Sequence, residues 1–297
     1  MVRQNEELKS KFQKVALFST SKEKKIISIA SQCKEVLLSK GLEVMVDKNF
    51  IDLDSSKLLI CSEKEILNQA DLLISIGGDG TMLKSSRLFG SKGIPVLGVN
   101  LGNLGFLADI NPNHLTDSLL KVLEGKFIED KRFFLKASIS DGKRNLLALN
   151  EVVIHSGVIA KMIEYDLFID DNFVSSQKAD GLIISTNTGS TAYSFSGGGP
   201  IIHPSLAAFC ILPMFPHSLS SSPLVVSSRS SIKITLKSSS QKGKISLDSA
   251  EIFSIKKGQE VFIEQSSKFL KLIHPKDHNF YEAYRNKLGW GLGITKD

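Results

Sequence analysis

An apolar segment that runs directly into a glycine string constrains this chain most strongly. Residues 72–76 read Leu-Leu-Ile-Ser-Ile, which predicts a buried strand, and Gly77-Gly78-Asp79-Gly80-Thr81 follows at once. A helix is predicted to begin near Thr81. Glycines let backbone N–H groups approach an anion closely. The segment therefore predicts a strand, a phosphate-binding turn and a helix, with one carboxylate among the glycines.

That carboxylate needs a chemical reason. A carboxylate beside a bound phosphate is repelled unless a metal ion or a proton transfer is involved. If the loop holds a phosphoryl donor, Asp79 accepts the proton of an attacking hydroxyl group and acts as general base. The structural alternative is a turn in which Asp79 only accepts backbone hydrogen bonds. Because the string lies between a buried strand and a helix, we favour the catalytic interpretation.

The first part of the chain alternates predicted strands with predicted helices. Strands are predicted at 14–20, 42–47, 70–78 and 94–100, and helices at 24–40, with Ser21 as N-cap, and 114–126. Such alternation predicts a Rossmann-like α/β domain whose parallel sheet is covered on both faces. Ligands on such sheets bind at the carboxyl ends of strands, where the glycine string falls.

From about Phe133 the pattern changes to short strands separated by turns, which predicts an all-β, β-sandwich-like domain. The predicted strands are 134–140, 146–155, 163–169, 173–177, 231–237, 244–249, 259–265 and 269–275. A segment rich in Gly, Ser and Thr, residues 175–204, interrupts them. The final segment 280–291 is predicted to be a helix that ends at a glycine.

Length and charge limit the classes of function. The 297 residues suggest about two domains. A net charge of +6 permits a nucleic-acid partner but also suits a polyphosphorylated small molecule. Aromatic residues make up only 7% of the chain and are not interleaved with basic runs. We therefore predict a small anion and no nucleic-acid partner.

Membrane, disulfide and metal classes are also disfavoured. No stretch reaches the ~18 apolar residues of a membrane span, and no signal-peptide core is present, so we expect a cytoplasmic protein with no membrane partner. Cys33, Cys61 and Cys210 lack C-x-x-C spacing and are expected to be core thiols. The histidines have no metal-ligand spacing, and no structural metal is predicted.

The glycine string and its preceding strand are similar to those of NAD kinases and, more distantly, of diacylglycerol kinases, sphingosine kinases and 6-phosphofructokinases. Further segments resemble bacterial NAD kinases, those of gammaproteobacteria in particular: LNEVVIH at 149–155, DGLIISTNTGSTAYSFSGGGP at 180–200, PMFPHSLSSSPLVV at 213–226, LIHPKD at 272–277 and KLGWG at 287–291. The resemblance covers nearly everything after Lys14.

The resemblance implies a reaction and an architecture. NAD kinases move the γ-phosphoryl group of ATP to the 2′-hydroxyl of the adenosine ribose of NAD, with Mg²⁺ or another divalent cation carried by ATP. The implied domains are a nucleotide-binding domain at 1–130, an NAD-binding domain at 131–272 and a tail at 273–297 that returns to the first domain. The ligand is expected in the cleft between the domains, and the protein is expected to be a homodimer or homotetramer.

The resemblance also assigns residues. Asp79 is implied as the base, and the phosphate or ATP loop comprises Gly77, Gly78, Gly80 and Thr81. An amide beside a carboxylate, as in the N-E pair, can bracket sugar hydroxyls. The implied NAD-binding residues are Gly80, Asn150, Glu151, Lys161, Lys178, Asp180, Thr191, Ala192, Tyr193, Ser194, Phe195 and Ser196.

Four residues depart from the commoner family pattern: Leu101 for arginine, Asn187 for proline, Gly197 for alanine and Ala250 for glutamine. We expect these changes to affect donor affinity more than reaction type. Two other hypotheses stay open at this point, a dinucleotide-binding regulator without chemistry and a lipid kinase. The phosphoryl donor stays open between ATP and polyphosphate.

Overall fold

The structure is a computed structural model that describes residues 11–47, 50, 53, 57–102, 105–108, 110–140, 145–158, 161–218, 220–239, 243–249 and 251–289. The chain forms two compact units. The first comprises Met1–Lys131 and Leu270–Asp297, and the second comprises Arg132–Phe269. The C-terminal segment is thus part of the first unit, although the second unit precedes it in sequence.

The first unit alternates strands and helices. In chain order its elements are β1 (Lys14–Phe18), α1 (Lys24–Ser39), β2 (Glu43–Val46), β3 (Leu58–Ile60), α2 (Glu63–Gln69), β4 (Leu72–Ile76), α3 (Asp79–Leu88), β5 (Val96–Val99) and α4 (Leu115–Leu123). The strands β1 to β5 are parallel, in the order β5-β4-β1-β2-β3. The predicted α/β domain with a parallel sheet is confirmed.

The core of the first unit lies between this sheet and its helices. Every residue of β4 is buried, as expected for an inner strand of a covered parallel sheet. Helices α1 and α4 contribute Ile26, Leu37 and Leu119 to the same core. Their apolar residues recur at helical spacing, so each helix buries one face.

The structure corrects the start of α1 and adds two elements. The N-cap of α1 is Glu23 rather than Ser21, because the Ser21 hydroxyl accepts the Glu23 N–H in a turn that precedes the helix. The sequence prediction omitted β3 and α2. Helix α2 begins with a capping box, in which the Ser62 and Glu65 side chains each accept the other's backbone N–H. That S-x-x-E pattern was visible in the sequence.

Strand β6 (Phe127–Ile139) leads from the first unit into the second. The elements that follow are β7 (Asn145–Ala148), β8 (Glu151–His155), β9 (Ile163–Ile169), β10 (Asn172–Ala179), β11 (Gly181–Thr186), α5 (Tyr193–Ser196), β12 (Ala208–Met214), β13 (Leu224–Ser227), β14 (Ile232–Ser239), β15 (Gly243–Leu247), β16 (Glu251–Ile255) and β17 (Glu260–Pro275). Helix α6 (Phe280–Leu288) belongs to the first unit.

Two antiparallel layers build the second unit. One is a six-stranded sheet in the order β13-β12-β11-β8-β15-β16, and the other contains β10, β9, β14 and the first part of β17. Ile154 and Ile184 from the first layer share one core with Tyr165 and Ile234 from the second. Side chains from facing sheets that fill one core define a sandwich. The predicted β-sandwich-like domain is confirmed.

Several strands of the second unit differ from the prediction. β11 is fully buried and lies inside the segment 175–204, which was predicted only as an interruption. β12, β13 and β16 were not predicted. The strands predicted at 259–265 and 269–275 are one strand of 16 residues, β17, whose apolar alternation breaks at exposed residues near its middle. From Leu270 onward β17 belongs to the first unit, where its last residues pair in parallel with β5.

Helix α6 ends at Gly289, whose φ of 65° is left-handed, so the predicted glycine stop is confirmed.

No described helix is long and apolar enough to cross a membrane. Cys33 and Cys210 are buried, but Cys61 is partly exposed, so the expectation of a core thiol is wrong for Cys61.

Candidate active site

Asp79 occupies the first position of helix α3. Strand β4 ends at Ile76, and the Gly77 N–H donates to the Val99 carbonyl at 2.9 Å. Gly77 has a φ of 153°, and a Cβ there would collide with the Thr81 side chain, so the turn requires glycine. The helix therefore starts at Asp79 rather than near Thr81. The positive end of the helix dipole favours a carboxylate at this position.

Three donors from distant parts of the first unit hold the Asp79 carboxylate. Oδ1 accepts the Leu107 N–H at 3.2 Å, and Oδ2 accepts the Phe106 N–H at 3.4 Å and Lys287 Nζ at 2.5 Å. Gly105 lies so close that a Cβ on it would collide with Oδ1. The Asp79 side chain is nevertheless 30% exposed. It is fixed by the protein and still open to solvent.

The other members of the predicted phosphate loop have different surroundings. Thr81 is buried, and its Oγ1 lies 2.9 Å from Oγ1 of Thr20, which follows β1. A Cβ at Gly78 or Gly80 would have no neighbouring heavy atom within 4 Å in the part of the chain that is described. Packing therefore gives no reason for glycine at these two positions, and the bare backbone leaves room for a ligand.

In the second unit, a buried aspartate fixes the N-E pair. Asp248 Oδ1 accepts the N–H groups of Asn150 at 2.8 Å and Glu151 at 3.2 Å, and its Oδ2 accepts the Leu149 N–H at 2.9 Å. Asp248 and Ser249 have left-handed backbones, with φ of 47° and 56°. This tight turn after β15 places one carboxylate over three successive amides at the start of β8. Asn150 and Glu151 are thus held through their backbone.

Glu151 is buried without a full set of partners. It is 3% exposed, and its Oε2 has no hydrogen-bond partner among the described residues. Burial raises the pKa of Glu151 to about 8, with the Asp248 carboxylate as a second cause. A hydrogen bond from the Tyr193 backbone opposes that rise in the pKa. The structure thus brings Glu151 together with the segment that begins α5.

The loop before α5 packs against the residue that precedes β8, Asn150. A Cβ at Gly189 would collide with the Asn150 backbone, so glycine is required for this approach. Asn187 donates its side-chain amide to the carbonyls of Pro204 at 2.6 Å and Leu206 at 2.9 Å. These bonds fix the turn where the commoner family residue is proline. The segment is an ordered loop rather than a flexible linker.

The predicted NAD-binding residues of segment 191–196 differ in exposure. Ser194 is buried, and a Cβ on Gly199 would collide with its hydroxyl, so Ser194 packs inside the unit. Tyr193 is 42% exposed and Phe195 is 39% exposed, which leaves two aromatic faces open. The other members are half-buried or exposed: Thr191, Ala192 and Ser196.

Three predicted NAD-binding residues form a separate group: Lys161, Lys178 and Asp180. Asp180 precedes Gly181, which pairs with His155 at the opposite end of β8 from Glu151. Four residue-to-residue steps lead from one end of β8 to the other, roughly 13 Å at ~3.3 Å per step. Both lysines are exposed, and Asp180 is half-buried. The strand register therefore divides the predicted NAD-binding residues of this unit into two groups.

Comparison with known proteins connects these features to one family. The ATP-NAD kinase N-terminal domain matches residues 15–127, and the ATP-NAD kinase C-terminal domain matches residues 149–275. The NAD kinase of Coxiella burnetii (strain RSA 493 / Nine Mile phase I) is 42% identical over 293 residues, which covers 97% of this chain and 98% of that protein. The chain belongs to the NAD kinase family.

Other relatives agree. The NAD kinase of Photobacterium profundum is 44% identical over 288 residues, 95% of this chain and 98% of that protein. These matches confirm the resemblance to gammaproteobacterial NAD kinases. The chain is therefore an enzyme, a phosphotransferase of the NAD kinase type, which decides against the lipid kinase and the regulator.

Solved NAD kinase structures share the fold. The NAD kinase from Archaeoglobus fulgidus, in complex with ATP, has a TM-score of 0.73 at 28% identity, covering 93% of this chain and 98% of that chain. Yeast NADH kinase, complexed with NADH, has a TM-score of 0.82 at 24% identity, covering 96% of this chain and 90% of that chain. Both support the α/β domain followed by a β domain.

Of the three remaining departures from the commoner NAD kinase pattern, Leu101 and Gly197 lie among the described residues. Leu101 is partly buried and packs against the core of the first unit. A Cβ at Gly197 would lie 2.7 Å from Cδ2 of Leu212, so alanine there requires the leucine to move. Ala250 lies outside the described residues.

Two residues that support the candidate site were not predicted from the sequence, Asp248 and Lys287. Asp248 is 99 residues from Leu149, and Lys287 is 208 residues from Asp79. The available signals were weak: Asp248 is the second-last residue of the strand predicted at 244–249, and Lys287 opens the KLGWG segment. Neither position shows which distant group its side chain meets.

Proposed function

We propose that this enzyme transfers the γ-phosphoryl group of ATP to the 2′-hydroxyl of the adenosine ribose of NAD, giving NADP and ADP. Asp79 takes the hydroxyl proton while the ribose oxygen forms its bond to the γ-phosphorus. The bond from that phosphorus to the bridging oxygen breaks, and ADP leaves. Family membership supports these substrates, and the Archaeoglobus fulgidus relative was solved with ATP.

One observation carries the role of Asp79. Its carboxylate stands at the start of α3, fixed by three donors and 30% exposed, beside two glycines with no packing reason for lacking a side chain. A ribose hydroxyl is a weak nucleophile and needs a positioned base. The bare backbone at Gly78 and Gly80 admits phosphate oxygens near that base.

A metal ion that arrives bound to the phosphates of ATP needs few ligands from the protein. Among the described residues, no group of three or more His, Cys, Asp or Glu side chains could hold a metal ion. Mg²⁺ at phosphoryl-transfer sites keeps several waters and uses substrate phosphates with one or two carboxylates. When bound, Mg²⁺ or another divalent cation neutralises charge on the transferred group. We propose that ATP supplies it.

We further propose that the second unit binds NAD through its two groups of residues. Asn150 and Glu151 bracket sugar hydroxyls, while Tyr193 and Phe195 offer aromatic faces. A dinucleotide is an extended molecule with two ribose sugars and two aromatic bases. Residues in the group of Lys161 and Asp180, roughly 13 Å along the strands from Glu151, are therefore also within reach of one ligand.

We propose that the enzyme is a homodimer or a homotetramer. The second unit exposes large apolar side chains, with Phe173 at 60%, Leu206 at 58% and Phe215 at 77%. Interfaces between the subunits of homodimers are more apolar than the rest of the surface, and aromatic residues such as Phe are enriched there. Size-exclusion chromatography with light scattering gives the mass in solution, and a monomer at assay concentrations would contradict the proposal.

The experiment that tests the function compares the wild type with Asp79→Asn. Each purified protein is incubated with NAD, ATP and Mg²⁺, and NADP is measured with an NADP-specific dehydrogenase. Loss of a general base is expected to lower kcat by about 10²–10⁴-fold. NAD binding, measured by calorimetry, is expected to stay within several-fold. Wild-type turnover by Asp79→Asn would show that Asp79 is not the base, and a wild type that makes no NADP would refute the reaction.

A further inference from the structure

We propose that Lys287, on the C-terminal helix α6, is a positioning residue that fixes the Asp79 carboxylate for proton transfer. The inference rests on the proposed function, in which Asp79 is the base. Helix α6 follows the whole second unit in sequence but belongs to the first unit, which also contains Asp79. The proposed role of Lys287 would give this C-terminal helix a part in the reaction.

The hydrogen bonds of Asp79 show what Lys287 contributes. A carboxylate has about four acceptor positions, two on each oxygen. Oδ2 uses two, for Lys287 Nζ at 2.5 Å and for the Phe106 N–H at 3.4 Å. Oδ1 uses one, for the Leu107 N–H at 3.2 Å. Among the described residues, the position that is left for a substrate hydroxyl is therefore on Oδ1.

Lys287 makes the strongest of these contacts. The two backbone bonds are long, and a charge-assisted bond to an ammonium group is stronger than a neutral one. Without Lys287, the carboxylate would keep only the two long bonds and could rotate about its Cβ–Cγ bond. That rotation would move the open acceptor position away from the direction it has in the intact site.

Phe106 holds Lys287 and α6 at the site. The Phe106 N–H bonds Asp79, and the same residue places its ring 4.4 Å from Lys287 Nζ, in a cation–π contact. Tyr284, one turn earlier on α6, packs on the Phe106 ring at 5.6 Å between centroids, and its own ring is fully buried. Residues three apart share one face of a helix. One face of α6 thus docks on the residue that also holds the base.

This arrangement joins two ends of the chain at the reacting group. The glycine loop supplies Asp79, and the helix that ends at Gly289 supplies its orientation. A base must lie within hydrogen-bond reach of the proton and point at it, and small misplacements are costly. A change at Lys287 is therefore expected to act on the rate of the chemical step rather than on substrate binding.

The first test compares Lys287→Met, Lys287→Arg and Arg285→Met with the wild type. Methionine keeps an unbranched stem on Phe106 but removes the charge, and exposed Arg285 on the same helix gives a matched charge control. We expect Lys287→Met to lower kcat by about 10–100-fold, with KM for NAD and ATP within about 3-fold. Lys287→Arg is expected to retain most of the rate, and Arg285→Met all of it.

The second test asks whether Lys287 acts through Asp79. In the Asp79→Asn background, Lys287→Met is expected to change the residual kcat by less than about 2-fold, because the group that it positions is already lost. A full additional loss in the double variant would overturn the inference, as would a raised KM for ATP with unchanged kcat. If Lys287→Met fails to fold, Lys287→Gln makes the same comparison. Absence of NADP formation by the wild type would instead refute the proposed function.

Discussion

Glu151→Gln is expected to remove the contribution of this one carboxyl group to the pH dependence of the free energy of unfolding. Glu151 is 3% exposed, and burial is the main cause that raises its pKa from 4.5 to about 8. The Asp248 carboxylate adds to this rise, and the Tyr193 backbone hydrogen bond opposes it. Near neutral pH the native side chain therefore holds a proton that the same side chain loses in the unfolded chain.

The sign and size follow from this difference in proton binding. Below pH 4.5 the contribution to stability is fully present, and it is lost as the pH rises through the folded pKa of about 8. Each unit of pH inside this window changes the free energy of unfolding by up to about 1.4 kcal/mol. From about pH 6 to about pH 8 the expected loss is roughly 2 kcal/mol. Glutamine has the shape of the protonated acid and does not titrate, so its variant lacks this slope.

The assay is urea unfolding followed by far-UV circular dichroism, for both proteins at pH 6 and pH 8. Subtracting the change in one protein from the change in the other cancels the contributions of all other titrating groups. Glu264→Gln, which removes a 53% exposed carboxylate from the same unit, serves as control. If the wild type and Glu151→Gln lose stability in parallel over this range, the assignment of a buried, protonated Glu151 is refuted.

Three further substitutions test the packing around the candidate site. Gly105→Ala should lower kcat by about 10-fold or more, because the added Cβ would displace the Asp79 carboxylate. Wild-type turnover of this variant in the NADP assay would contradict the prediction. The two carboxylate oxygens of Asp248 accept three backbone N–H groups, and Asp248→Asn replaces one of these oxygens with an amide nitrogen. The free energy of unfolding in urea should fall by about 1–3 kcal/mol. An unchanged unfolding midpoint would contradict the prediction. Gly189→Ala should also lower the free energy of unfolding by about 1–3 kcal/mol, because the added Cβ would collide with the Asn150 backbone. A melting temperature equal to that of the wild type would contradict the collision.

Most elements of the first unit were predictable because their signals are local. The apolar run of β4 and the glycines after it lie within a few residues of one another, and so do the apolar spacings of α1 and α4. The start of α3 was less accessible. It depends on Gly77, whose φ of 153° brings the chain into the helix at Asp79, and a glycine alone does not reveal its φ.

The second unit was harder to predict strand by strand. β11 is buried on both faces, so its apolar residues Leu182, Ile183 and Ile184 are consecutive rather than alternating, and it lies in a segment whose Gly, Ser and Thr content is typical of a loop. β17 was divided in two because its middle residues are exposed. A strand of 16 residues that pairs in both units has no single apolar pattern.

The sequence by itself determined the fold class, the carboxylate in its glycine string and the family resemblance, because each depends on residues that are adjacent in the chain. Only the tertiary structure decided which side chains meet. Asp248 clamps three amides about a hundred residues away, and Lys287 reaches Asp79 across 208 residues. Strand register places Asp180 away from Glu151. Such contacts follow from how strands pair and helices pack, and local periodicity carries no information about either.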